Sequence, residues 1–235
     1  MRAGLVATLI ALPAIVVLIG LGLWQLDRMA WKHDLIATMH QRMNEAPRAM
    51  ADILAMPADQ RAWRPVMVVG RFLNDREMPL YRQDVDDGTP GYDILTPLVL
   101  ADGRAVLVNR GWVPPDKRDA STRTGAPRGQ VWVTGIVREI GERESFANDN
   151  SPETGEWYWI DRQSMEIHAG VGLLPLVVVA DRDTDPLALP RGGQVPLDLP
   201  DDHLHYALTW FALAAAMAVI YGIWMWRSLS RRKRP

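Results

Sequence analysis

Charged residues are absent from two stretches of this chain, 4–26 and 206–226. The stretches hold 23 and 21 residues. A helix of about 20 apolar residues crosses the hydrocarbon of a bilayer. A wholly soluble fold is therefore nearly excluded, and the chain reads as two transmembrane helices around a middle region. That region, 27–205, holds 179 residues, enough for a domain with its own core. The formal net charge is −2, and this near-balance argues against a nucleic-acid partner, which calls for a basic excess. Cysteine is absent. That removes disulfides, thiolate-bound zinc or copper, and thiol catalysis together.

The first stretch reads GLVATLIALPAIVVLIGLGLWQL, with Pro13 inside it. It is longer than the apolar run of a cleavable signal, and no small-residue cleavage site follows Leu26, so it reads as an uncleaved anchor. Trp24 falls at its exit end, and Tyr206, Trp210, Trp224 and Trp226 mark both ends of the second stretch. Aromatic side chains gather at the two membrane–water interfaces. Ala212, Ala214, Ala215, Ala216, Ala218 and Gly222 line the second stretch. Small residues admit a neighbouring helix, and the first helix is the expected neighbour. Arg227, Arg231, Arg232, Lys233 and Arg234 follow the second helix, and Arg2 precedes the first. By the positive-inside rule both termini face the cytoplasm and the middle domain faces the other side. With no transit peptide ahead of the first helix, the expected setting is a bacterial inner membrane with a periplasmic domain.

The expected domains are 4–26 for the first membrane helix, 27–205 for the periplasmic part, 206–226 for the second membrane helix and 227–235 for a basic tail. Within the periplasmic part, apolar residues at helical spacing predict an amphipathic stalk over 27–46. A β-rich core is expected over 63–199. Strands are expected at 65–73, 91–100, 104–113, 130–139, 157–161 and 174–180, with a short helix at 163–168. Asp102-Gly103 reads as a type I′ hairpin, with Leu98 and Leu100 facing Val106 and Val108. The expected fold is a mainly antiparallel β barrel or sandwich with minor helices, flanked by two transmembrane helices.

Phosphate-binding, dinucleotide, zinc-protease and nucleophile-elbow motifs are all missing, so nothing speaks for an enzyme. His33 and His40 fall on one face of the stalk and read as solvent-facing, and His168 stands alone. His203 and His205 sit at the doorstep of the second membrane helix, in DDHLHYALTWF. Histidine is a common metal ligand and an axial ligand of haem iron.

The ordered patterns LGLWQLDRMAWKHDLI (21–36), RPVMVVGRF (64–72), GYDILTPL (91–98) and VLVNRGWVP (106–114) continue with GIVRE (135–139) and FANDNSPETGEWYWID (146–161). They end in GGQVPLDLPDDHLHYALTWFALA (192–214). Together, between two terminal membrane helices, they resemble the Surfeit locus protein 1 family. The resemblance implies an assembly factor for a haem-copper oxidase that binds haem a and assists its insertion into subunit I of cytochrome c oxidase. Haem a synthase and membrane lipid are further implied partners. The alternative is a scaffold that holds an oxidase intermediate without touching haem. The family's haem-associated histidine falls on His203. His205 stands where the family pattern has Gln, which leaves its role open. A haem between the helices would place Trp24 and Trp210 at the ring edge. Its propionates would meet Arg28, Arg64 or Arg110, because guanidinium pairs well with carboxylate. Arg110 and Trp112 of NRGW read equally well as a turn arginine and a core tryptophan.

Overall fold

The computed structural model describes residues 2–123, 125–143, 145, 147–185, 187–195 and 201–232, with backbone alone at 2–4, 229, 231 and 232. The chain divides into two compact units, Met1–Thr38 with Asp198–Pro235, and Met39–Leu197.

The first unit is a helix pair. Helix α1 (Arg2–Met43) runs without a break through both the apolar stretch and the amphipathic segment. Its partner α4 spans His203–Arg232. Both are long and apolar enough to cross a membrane. Less exposed residues of α1 recur at Ala11, Leu18, Gln25 and Lys32, and at Thr8, Ile15, Gly22 and Met29. In α4 they recur at His203, Trp210 and Met217, and at Ala207, Ala214 and Tyr221. A seven-residue repeat is the seam of two helices wound gently on each other. Contacts along the seam show that the helices are antiparallel. Thr8 Oγ1 and Tyr221 OH lie 2.7 Å apart, and a Cβ built on Gly22 would fall 2.5 Å from the Phe211 ring. Exposed Leu9, Ile10, Val16, Val17 and Ile220 lie on the outside of the pair.

The second unit is a closed barrel with two side strands. In chain order the strands are β1 (Arg48–Ala49), β2 (Pro65–Phe72), β3 (Met78–Gln83), β4 (Pro90–Val99), β5 (Ala105–Val113), β6 (Gln130–Glu139) and β7 (Leu173–Ala180). Around the barrel the order is β2-β6-β7-β5-β4, and β4 closes back on β2 through Arg71↔Val99 and Phe72↔Leu98. Only the β5–β7 contact within this ring is parallel. Counted along the chain, the five barrel strands close in the order first, second, third, fifth, fourth: a small Greek-key barrel of the OB type. The fold is thus a barrel rather than a sandwich. Its interior is built from alternating residues such as Val66, Val68, Val106, Val108, Val133 and Val178, and capped by Met50 and Ile53 of α2 (Met50–Ala55). Five strands enclose no room for more than side chains.

A second apolar layer covers the outside of β4, β5 and β7. Leu95, Leu107 and Val177 pack there against Leu80 of β3, Trp157, and Met165 of α3 (Arg162–Ala169). Helix α3 starts at the Asp161 cap, whose side chain accepts from Gln163 N and Ser164 N, and ends at left-handed Gly170.

Three expectations need correction. Residues 157–161 form no strand: Leu80↔Trp157 is an isolated bridge, and the Asn150 side chain accepts from Tyr158 N at 2.8 Å instead of a neighbouring strand. Strand β3 escaped notice because Pro79 and the polar run Tyr81-Arg82-Gln83 hide its apolar alternation, in which only Met78 and Leu80 are buried. The β4–β5 connection is not a type I′ turn. Gly103 alone has positive φ, at 84°, and Gly103 N donates to Leu100 O at 3.1 Å. A type I turn followed by a left-handed glycine is the usual three-residue hairpin. Val106 then faces Leu98 as expected, but Val108 faces Thr96 rather than Leu100.

Candidate functional site

His203 is the first residue of α4 and lies on the seam that α4 turns toward α1. Asp201, two residues earlier, accepts from His203 N at 3.2 Å and so helps begin the helix. Its carboxylate also meets His33 Nε2 of α1 at 2.8 Å. This contact ties the entry of α4 to the segment of α1 beyond the apolar stretch.

Gln25 is the seam residue of α1 that faces His203. Its side-chain oxygen lies 2.7 Å from His203 Nδ1. With the proton on Nδ1 donated to Gln25, the imidazole is fixed in one orientation, and Nε2 keeps its lone pair. That is how proteins prepare a histidine to ligate iron, with the second ring nitrogen held by a hydrogen-bond acceptor. A haem needs one such axial nitrogen from the protein, and the chemistry of His203 fits it. Among the described residues no group of three or more His, Asp or Glu gathers to hold a bare metal ion.

Trp210 lies two turns along the same seam, half-buried, while Trp24 lies off the seam and is 53% exposed. His205 is exposed and packs edge-on to Tyr206, ring centroids 6.3 Å apart. The structure thus brings His203 and Trp210 onto one helix face and leaves His205 and Trp24 off it.

The three candidate arginines differ in what they already hold. Arg28 lies over the Trp31 ring at 4.2 Å and has no carboxylate partner among the described residues. Arg64 is paired with Glu45. Arg110, inside β5 rather than in a turn, is 2.8 Å from Glu77, and Arg123 takes the other oxygen of the same carboxylate. Burial pushes the Arg110 guanidinium below its ordinary range, although Glu77 opposes the shift. Of the three, Arg28 is the one free to meet a new anion. Trp112 is a core residue, 3% exposed.

Sequence reasoning did not single out Gln25. Its signal is a phase: Gln25 continues the same seven-residue repeat as Ala11 and Leu18, and a polar residue on the seam of an apolar helix calls for a partner.

The sequence model described as the SURF1 family matches residues 12–215. A SURF1-like protein of Monosiga brevicollis is 35% identical, over 97% of this chain and 88% of its own length. Surfeit locus protein 1 of Mus musculus is 34% identical over 86% of this chain and 70% of its own length. The protein of the same name from Homo sapiens is 31% identical over 86% and 72%.

Proposed function

The chain belongs to the SURF1 family, whose role lies in cytochrome c oxidase assembly, and from that premise we propose that it binds haem a and assists its insertion into oxidase subunit I. One observation carries this reading: His203 Nδ1 lies 2.7 Å from the Gln25 side-chain oxygen, an acceptor that would hold the Nδ1 proton and turn Nε2 toward a ligand role. Bound haem would supply the cargo's redox-active iron. The residues of this chain would hold and orient it. Gln25 fixes the imidazole, Trp210 offers an aromatic face on the same seam, and Arg28 has its charge free for a propionate. Haem a synthase and subunit I are the expected donor and acceptor. We read the chain as an assembly factor rather than an enzyme. The setting proposed is the bacterial inner membrane, with both termini cytoplasmic and the barrel periplasmic.

The test is to purify the full chain from a host that makes haem a and record its absorption spectrum beside those of His203→Ala and Gln25→Leu. The expected result is a haem spectrum in the wild type, its loss in His203→Ala, and weakened haem retention in Gln25→Leu. A haem-free wild type, or a spectrum unchanged by His203→Ala, overturns direct binding. If subunit I still copurifies in that case, the scaffold reading takes its place.

A further inference from the structure

A cavity of about 750 Å³ opens on the outer face of the barrel, within the usual size range of ligand sites. Its floor includes Asp93 of β4, Asn109 of β5, Val179 of β7 and Arg138 of β6. Tyr81 of β3 and Trp159 stand in its walls. The lining draws on the second to fifth barrel strands, and it includes the face of the second and third strands together with the connections after the first and the fourth. In OB-type barrels that is the face that takes ligands.

Among the described residues, two buried polar atoms in this lining have no partner. Asp93 is 8% exposed and accepts from Asn109 Nδ2 through Oδ2 at 2.8 Å, while its Oδ1 accepts from nothing. Trp159 Nε1–H is likewise buried without an acceptor. Such groups are costly to leave unpaired. An occupant that reaches these atoms would bring a donor to one and an acceptor to the other, and a polypeptide carries both at nearly every residue. Charge narrows the choice. Among the described lining residues, Asp93, Glu139 and Glu142 outnumber Arg82 and Arg138. The surplus is negative, which disfavours a phosphate or nucleotide and favours a basic group. Tyr81 and Tyr158, with ring centroids 6.2 Å apart, add aromatic contact area of the kind enriched at protein interfaces.

We propose that this groove binds an extended segment of a partner polypeptide that carries a basic side chain, with the basic group at Asp93 and a backbone carbonyl at Trp159. This deepens the assembly reading: the partner would be the oxidase component being matured.

The test places a photo-crosslinking benzoylphenylalanine at Tyr158 in the full chain, in its own membranes. A control copy carries it at Trp132, which is 69% exposed and about 20 Å along β6 from Arg138 at strand spacing. The expected result is an adduct from position 158 and not from 132. Mass spectrometry should map it to one segment containing Lys or Arg. Asp93→Asn and Trp159→Phe should each cut its yield at least fivefold, with melting of each variant showing that it is folded. No peptide adduct, an adduct indifferent to both substitutions, or an adduct of lipid or saccharide mass overturns the proposal. A segment from an oxidase subunit supports both the groove and the assembly reading. A mapped segment from a protein outside the oxidase supports the groove and counts against that reading.

Discussion

Burial pushes the Asp93 carboxyl up to about 6, against the opposing hydrogen bond from Asn109 and the nearby charge of Arg82, and with Asp84 adding to the rise. The unfolded carboxyl gives up its proton near 3.8, so between these values the folded chain binds more protons than the unfolded one. Stability therefore falls as pH rises through that window, by about 3 kcal/mol at most, and is level above it. Asp93→Asn removes the charge and keeps the shape. Thermal melts should show the variant more stable than wild type at pH 7.5 and little different at pH 3.5; equal gains at both would mean that Asp93 ionises freely. Gly111 makes a second residue-level case. Its φ is 129°, and a Cβ there would lie 2.2 Å from the Arg191 carbonyl, because Trp112 and Arg191 exchange backbone hydrogen bonds at 2.9 and 2.8 Å. Gly111→Ala should cost about 3 kcal/mol or more by denaturant unfolding. These two sites also explain the NRGW motif. Asn109 holds Asp93 and Gly111 N, Arg110 holds Glu77, Gly111 allows the close approach, and Trp112 fills the core.

Helix pairing can be tested through Gly22, because α4 presses the Phe211 ring where any side chain at that position would sit. Gly22→Leu should part the seam. The chain has no cysteine, so Thr8→Cys with Tyr221→Cys, joined by a short bismaleimide, reports pairing directly. The expected outcome is ready linkage that falls several-fold on adding Gly22→Leu; undiminished linkage would place the seam elsewhere. Elements differ in how far they could be read from sequence. Strands β2, β4, β5, β6 and β7 announce themselves because runs such as VMVV and LVVV are β-branched and bounded by turn residues. Strand β3 does not, since Pro79 and the polar run Tyr81-Arg82-Gln83 leave Met78 and Leu80 as its only buried apolar signal, although all six residues pair with β4. Periodicity tells which face a residue takes but not which strand lies beside it, so closure of β4 on β2 could not be read. Gln25 was hidden for the same reason: its meaning depends on a histidine 178 residues away.

If both long helices span the membrane, they fix a parity for the molecule as a whole. Whatever lies before α1 and after α4 shares one side, and everything between them shares the other. In the proposed topology the cluster Arg227, Arg231, Arg232, Lys233 and Arg234 sets which side is which, because cationic flanks tend to stay in the cytoplasm. The 28 acidic residues all lie in the middle region, but long segments translocate largely regardless of charge, so the decision rests on the flanks. The same topology would place the His203 end of α4, rather than its basic end, at the outer interface, where a histidine costs little and a propionate can reach water. In intact bacterial cells, Trp132→Cys on the barrel should react with a membrane-impermeant maleimide, while a cysteine introduced at Arg227 should not until the cells are opened. A phosphatase fused after Pro235, active only when exported, should stay silent. The reverse pattern would place His203 at the cytoplasmic face, and the proposed route of haem a into subunit I from the outer side would then have no donor histidine.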